Sequence, residues 1–212
     1  MAADSSNRKN PWLDRAGVSG DEYDVSYVQK EAAGQNVHGE ADFVEALGPK
    51  SVLDAGCGTG RVGVELARRG IEVVGVDIDS RMLGTARNKA PHLEWRLGDL
   101  ATVDLGRQFD VIVMAGNVMI FLTPGTEGVV LKNMARHLAP GGRLVAGFQL
   151  GTGRLELGEY DQLAREVGLA LEVRYATWDR DPWYATSSYA VSVHSLIGNA
   201  SAHNSEFEIQ NS

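Results

Sequence analysis

The sequence predicts an α/β fold: a doubly wound, mainly parallel seven-stranded sheet with one antiparallel strand near the C-terminus. Three observations carry this. Strand-like and helix-like stretches alternate between residues 51 and 150, the pattern of βαβ units joined by right-handed crossovers. The strand-like stretches are near-continuous apolar runs, as strands covered on both faces require. The last two, "LALEVRYATW" and "SSYAVSVHSL", are separated by a short polar connection with no helix in it, so they form a hairpin and one runs against the rest.

Taken in order, residues 1–20 are polar and without period and are expected to be a flexible tail; residues 199–212 are expected to be another, leaving a single domain over 21–198. "DEYDVSYVQKEAA" reads as a helix, and "GEADFVEALG" (39–48) as an amphipathic one. "SVLDA" is a short apolar strand that ends in glycines. "RVGVELARRG" follows as a helix, with Val62, Leu66 and Ala67 inward and Gly70 as its C-terminal stop. "IEVVGVD" is a buried strand, and "SRMLGTARNKAP" a helix with Asp79 or Ser80 as N-cap and Pro91 as stop. "LEWRL" and "FDVIVMAG" are strands. "TPGTEGVVLKNMARHLAPGG" reads as a helix burying Val129, Val130, Met134 and Leu138 and closed by Pro140-Gly141-Gly142. "RLVAGFQL" is the fifth strand, and the helix "GEYDQLAREVG" precedes the hairpin.

Composition bounds the function. The chain of 212 residues, 43% hydrophobic and 23% charged, suits one globular domain. A net charge of −8 argues against a nucleic-acid partner, which would favour a basic face. The single cysteine rules out an internal disulfide framework and suits a reducing compartment. No secretory leader and no apolar run of about 18 residues is visible, so a cytoplasmic location without membrane contact is expected. The glycosylation-like triplet Asn199-Ala200-Ser201 is read as chance.

The stretch "VLDAGCGTGRVG" carries two overlapping spacings. Gly58, Gly60 and Gly63 form G-x-G-x-x-G, the dinucleotide fingerprint; Asp54, Gly56, Gly58 and Gly60 form acidic-x-G-x-G-x-G. Both put a glycine loop between a strand and a helix N-terminus, where a ligand can approach the backbone closely. They differ in charge: an acid at Asp54 repels a pyrophosphate and attracts a cationic ligand.

"VLDAGCGTG" resembles the first signature of class I S-adenosylmethionine-dependent methyltransferases, matching at Asp54, Gly56, Gly58 and Gly60 with Cys57 inside it. "VVGVDID" resembles the second, which implies that Asp77 binds both ribose hydroxyls with Ile78 beside it. "LGDL" resembles the third, which implies that Asp99 faces the adenine amino group and Leu100 offers a backbone amide. "FDVIVMAGN" resembles the fourth, placing Ala115, Gly116 and Asn117 beside the methionine part, and "LAPGGRLV" resembles the turn into the fifth strand. The resemblance covers residues 50 to 150 closely and extends to about 197 by topology. It implies a Rossmann-like methyltransferase fold, S-adenosylmethionine as cofactor, S-adenosylhomocysteine as product, and methyl transfer by in-line displacement to a small-molecule acceptor. An NAD(P)-dependent oxidoreductase and a non-catalytic S-adenosylmethionine-binding protein are the rival readings.

Single residues carry alternatives. Asp54 can brace the loop through backbone amides as well as meet a ligand. Asp77 is read as ligand-binding because Asp79 or Ser80 fills the helix cap. Asp99 and Asn117 are read as ligand contacts against turn roles. Cys57 is a small residue suited to a tight loop, Met114, Met119 and Met134 are core, and His137 faces its helix C-terminus. "LARRG" is a solvated helix end. No metal is expected. His38 is the one candidate general base, against a surface histidine at a helix start. Trp178, Trp183 and Tyr184 either line a substrate pocket or pack the sheet edge.

Overall fold

The computed structural model describes residues 10–14, 20–151 and 155–197. The expected tail residues 1–9 and 199–212, the triplet at 199–201 included, lie outside the described residues. Helices α1 (Gly20–Ala32) and α2 (Gly39–Glu45) precede β1 (Ser51–Ala55). Then come α3 (Arg61–Arg68), β2 (Glu72–Asp77), α4 (Ser80–Lys89), β3 (Glu94–Leu97), β4 (Phe109–Met114), α5 (Val118–Phe121) and α6 (Glu127–Arg136). The chain finishes with β5 (Leu138–Gln149), α7 (Leu157–Glu166), β6 (Leu169–Tyr175) and β7 (Tyr189–Leu196).

The seven strands lie in the order β3-β2-β1-β4-β5-β7-β6. β1 pairs parallel with both β2 and β4, so the chain reverses its direction of winding there. A crevice opens at such a switch point, outside the carboxyl ends of the strands. β7 runs antiparallel to both β5 and β6, as the missing crossover helix predicts. Leu53, Ile112 and Leu144 are fully buried at adjacent places on β1, β4 and β5. Each is worth about 1.5–3 kcal/mol on burial, which explains why these runs read as solidly apolar.

Two local readings need correction. The helix expected to run to Pro140-Gly141-Gly142 ends at Arg136, with His137 as its cap residue. Leu138 already pairs with Phe109 in the sheet, and the register then slips so that Val111 faces Arg143. The Pro-Gly-Gly segment is thus an irregularity inside β5, with Gly141 at φ 78°, rather than a helix stop. Val129 is 54% exposed while Val130 is buried, so the inward stripe of α6 is Val130, Leu131 and Met134. The four-residue helix α5 carries too few residues to show a period in the sequence.

Asp79 caps α4 by accepting a hydrogen bond from the Arg81 N–H at 2.9 Å, as its position predicts. Among the described residues no helix is long and apolar enough to cross a membrane.

Candidate active site

A cleft of about 870 Å³, counting its open mouth, lies over the carboxyl ends of β1, β2 and β4. Its floor is the glycine loop after β1. The Gly56 and Cys57 N–H groups both donate to the Val76 carbonyl, at 2.8 and 3.0 Å, which turns the chain sharply off the strand. Gly56, at φ 80°, lies directly under Val118, because a Cβ there would sit 2.4 Å from that side chain. Gly58, at φ 55°, has nothing within 4 Å of its would-be Cβ. The loop therefore presents bare backbone to the cleft at one point, and a side chain there would fill the space.

The overlapping glycine spacings are separated by Trp95. A Cβ on Gly75 would lie 2.3 Å from its ring, one on Gly60 2.6 Å, and one on Gly63 3.3 Å. These three glycines form a slot for the indole, whose Nε1–H donates to the Ala90 carbonyl at 2.9 Å. Gly60 and Gly63 thus serve helix–sheet packing, and Gly56 and Gly58 face the cleft.

Asp77, at the tip of β2, accepts from the Gly58 N–H at 2.7 Å through Oδ2 and from the Asp79 N–H at 2.8 Å through Oδ1. It is 7% exposed yet lines the cleft. Burial raises its pKa, opposed by those amide bonds. Asp54 is 2% exposed and accepts from the Gly63 N–H at 2.9 Å. Burial is the main cause that pushes its pKa up to about 7, against the lowering influence of that amide and of Arg61. It also lines the cleft, so both of its expected roles are geometrically open.

The remaining wall comes from both banks. Ile78, half-buried, follows Asp77. Asp99 is exposed and accepts from the Ala101 N–H at 2.8 Å, so it caps a turn at the cleft edge. Leu100 is buried, and its carbonyl accepts from the Asn133 side chain at 3.0 Å, which ties the loop after β3 to α6. Ala115 and Gly116 close the far side at the end of β4.

Of the expected site residues, the structure brings Asp54, Gly56, Cys57, Gly58, Asp77, Ile78, Asp99, Leu100 and Ala115 to one cleft. It does not bring Gly60, Asn117 or His38 there. Gly60 backs onto Trp95. Asn117 sits in left-handed backbone at φ 71° and its side-chain oxygen accepts from the Gln149 N–H at 2.7 Å, so it fastens the end of β4 to β5. His38 starts α2 without a side-chain cap bond, and its buried Nδ1 has no hydrogen-bond partner. Trp178 packs against Gly147 of β5 and Phe43 of α2, and Tyr184 is 64% exposed; neither these nor Trp183 lines the cleft.

Several lining residues carry no pattern in the sequence that marks them. Trp12, from the expected tail, and Phe121 and Leu122, from and beyond α5, line the mouth of the cleft. The only trace of Trp12 was a lone large aromatic in a polar stretch. Arg61, first in α3, also lines the cleft. Its guanidinium bonds Glu40 and the Val37 carbonyl and lies 4.2 Å from the centre of the Tyr27 ring. Asp24 of α1 accepts from the Thr59 hydroxyl at 2.7 Å and pairs with Lys89. These contacts bind the two leading helices to the glycine loop.

Known proteins are similar to this chain in sequence and fold. The methyltransferase domain family matches residues 52–142. A solved TehB-like SAM-dependent methyltransferase from Corynebacterium glutamicum is 36% identical with a TM-score of 0.78, covering 84% of this chain and 97% of that one. The chain belongs to the class I S-adenosylmethionine-dependent methyltransferases. Curated relatives include magnesium-protoporphyrin O-methyltransferase of Rhodobacter capsulatus, 41% identical over 91 residues, which are 41% of this chain and 40% of that protein. An N,N-dimethyltransferase of Streptomyces fradiae that acts on dTDP-3-amino-3,6-dideoxy-α-D-glucopyranose is 31% identical over 150 residues, 68% of this chain and 58% of its own. The chain thus spans about two fifths of the first curated relative and under two thirds of the other. For a methyltransferase of this class, the cleft fits its cofactor on the donor set alone: an acid at a strand tip, backbone bare at Gly58, further acids to meet a sulfonium, and, among the described lining residues, an arginine already paired with Glu40.

Proposed function

We propose that this methyltransferase binds S-adenosylmethionine in the cleft over β1 and β2 and transfers its methyl group to a small-molecule acceptor. The observation that carries the reading is the pairing of Asp77 with Gly58. One carboxylate, held by two backbone amides, stands at the strand tip beside a loop whose bare backbone leaves room for a ligand. A carboxylate has about four acceptor positions, so Asp77 keeps capacity to accept from the hydroxyls of a ribose.

The cofactor supplies an electrophilic methyl carbon on a positively charged sulfur. The chain's own residues supply the rest. Ile78 and Leu100 offer apolar faces to the purine, and Asp99 stands at the edge where its amino group would lie. Asp54 faces the cationic end of the ligand from beneath the loop. Catalysis then consists of holding donor and acceptor in line in the cleft, and positioning of that kind accounts for a large share of a bimolecular barrier. The porphyrin and amino-sugar acceptors named for the relatives support a small acceptor here.

Asp77→Ala tests the reading. Removing two charge-assisted hydrogen bonds, each worth about 1.5–3 kcal/mol, is expected to weaken S-adenosylhomocysteine binding by about 100-fold or more by titration calorimetry, with the circular dichroism spectrum unchanged. Unchanged affinity overturns it.

A further inference from the structure

The aromatic corner at the cleft mouth has a ligand of its own to recognise. Trp12 lies outside the strand–helix framework, in a stretch whose sequence reads as tail, yet it is held at three points. Its backbone N–H donates to the Asn10 side chain at 2.9 Å, which folds residues 10–13 into a compact turn with a further bond from the Leu13 N–H. Its indole Nε1–H donates to Asp79 Oδ2 at 3.2 Å. Its ring meets Phe121 edge-to-face, with centroids 5.4 Å apart and planes at 63°.

These anchors locate it. Asp79 is two residues beyond Asp77 on the same turn, and Phe121 stands on the opposite bank, on α5. Trp12 therefore bridges the mouth at the end of the cleft that Ile78 borders. Asp79 is an independent anchor: it is 2% exposed, caps α4, and is paired with Arg81 at 2.8 Å. The indole is thus oriented by a carboxylate whose own position does not depend on it.

We infer that Trp12, with Phe121, forms the outer wall of the purine subsite. Two rings meeting edge-to-face present a flat surface and a perpendicular one, and a flat π system is the ligand shape that fills such a corner with the best contact. The inference rests on the cofactor reading above and goes beyond it, because it assigns adenosine recognition to a residue of the N-terminal segment. Asp79 is a positioning residue for the indole and Trp12 the one that touches the ligand.

The test uses the full chain and two ligands, S-adenosylhomocysteine and 5′-methylthioadenosine, which keeps the purine and ribose but lacks the amino acid. Trp12→Ala is expected to weaken both by the same factor, about tenfold, a typical effect of removing one aromatic stacked on a base. Trp12→Phe keeps the ring and loses only the indole N–H, so it restores most of that affinity. In the wild type, S-adenosylhomocysteine is expected to change tryptophan fluorescence and the change to be largely lost in Trp12→Phe, a readout that stands even if the alanine variant is poorly folded; a change of full size in Trp12→Phe overturns the inference. If Trp12→Ala leaves 5′-methylthioadenosine affinity unaltered while Asp77→Ala abolishes it, the wall does not belong to the purine and the inference falls while the cofactor reading stands. If the wild type binds neither ligand, both fall together.

Discussion

At the scale of single residues, Asp54 is the group whose chemistry is most open to measurement. Burial raises its pKa from 3.8 to about 7. A raised acid contributes stability that is fully present below its unfolded pKa and is lost as pH rises through the folded one, so the window here runs from about 4 to about 7. A ligand that brings an ammonium and a sulfonium into the cleft favours the ionised carboxylate and lowers that pKa. Binding of S-adenosylmethionine is therefore expected to tighten as pH rises to about 7 and to level off above it, with protons released below pH 7. Calorimetry in two buffers of different ionisation enthalpy measures the release. Asp54→Asn keeps an oxygen for the Gly63 N–H and removes the titration, so its affinity is expected to be weaker at pH 8 and flat from pH 5.5 to 8. A slope that survives in Asp54→Asn assigns the proton to another group. At this scale the sequence is informative about position where position follows from backbone geometry, as for Gly58 and Asp77, which meet at the cleft. It was silent at Trp95, which decides between two glycine spacings through contacts made from another strand.

At the scale of elements, the attachment of α2 explains how the segment before β1 is fixed beside the cleft. Phe43 is 1% exposed and meets Tyr175 and Trp178 edge-to-face, and Arg69 of the α3 C-terminus forks to Asp42, Glu45 and Glu65. Glu65 is 6% exposed, and Arg68 first and Arg69 second hold its pKa down to about 2. A depressed acid contributes stability present above its unfolded pKa of 4.5 and lost as pH falls toward 2. Arg69→Met keeps the packing of the side-chain stem and leaves Glu65 with Arg68 alone, so the acid-unfolding midpoint is expected to move to higher pH. Phe43→Ala removes a buried aromatic and is expected to cost about 3–5 kcal/mol at any pH. Urea titrations at pH 7 and pH 3 separate the two: the Arg69 deficit is full at pH 7 and shrinks as pH falls toward 2 and Glu65 takes up its proton, and the Phe43 deficit does not change. An Arg69→Met protein with an unshifted acid limb shows that Arg68 suffices. The strands and long helices around this point were legible because each repeats its period over many residues. α5 has four residues, and its place is set by Asn117 in left-handed backbone and by Val118 over Gly56, both of which are tertiary facts. The slip within β5 is likewise a matter of pairing with β4, which a Pro-Gly-Gly run does not distinguish from a helix stop.

At the scale of the whole molecule, the charge of the chain and the charge of the cleft have the same sign. The net charge is −8, and Asp54, Asp77 and Asp99 line the cleft, while its arginine, Arg61, is paired with Glu40 through Nη1 and Nη2. S-adenosylmethionine carries one positive charge more than S-adenosylhomocysteine, at the sulfur. An acidic cleft in an acidic protein favours the substrate over the product by a coulombic amount that mobile ions screen, with a Debye length of about 10 Å at 0.1 M salt and about 3 Å at 1 M. Raising sodium chloride from 0.02 to 0.5 M is therefore expected to weaken S-adenosylmethionine binding by about two- to threefold more than S-adenosylhomocysteine binding, in line with modest surface-screened charge effects. Parallel titrations of the two ligands measure the ratio directly, and Asp54→Asn is expected to shrink it because one of the three acids is gone. Equal salt slopes for the two ligands show that the sulfur lies beyond the reach of these carboxylates. The preference for substrate would then come from packing around the methyl group, which salt does not alter.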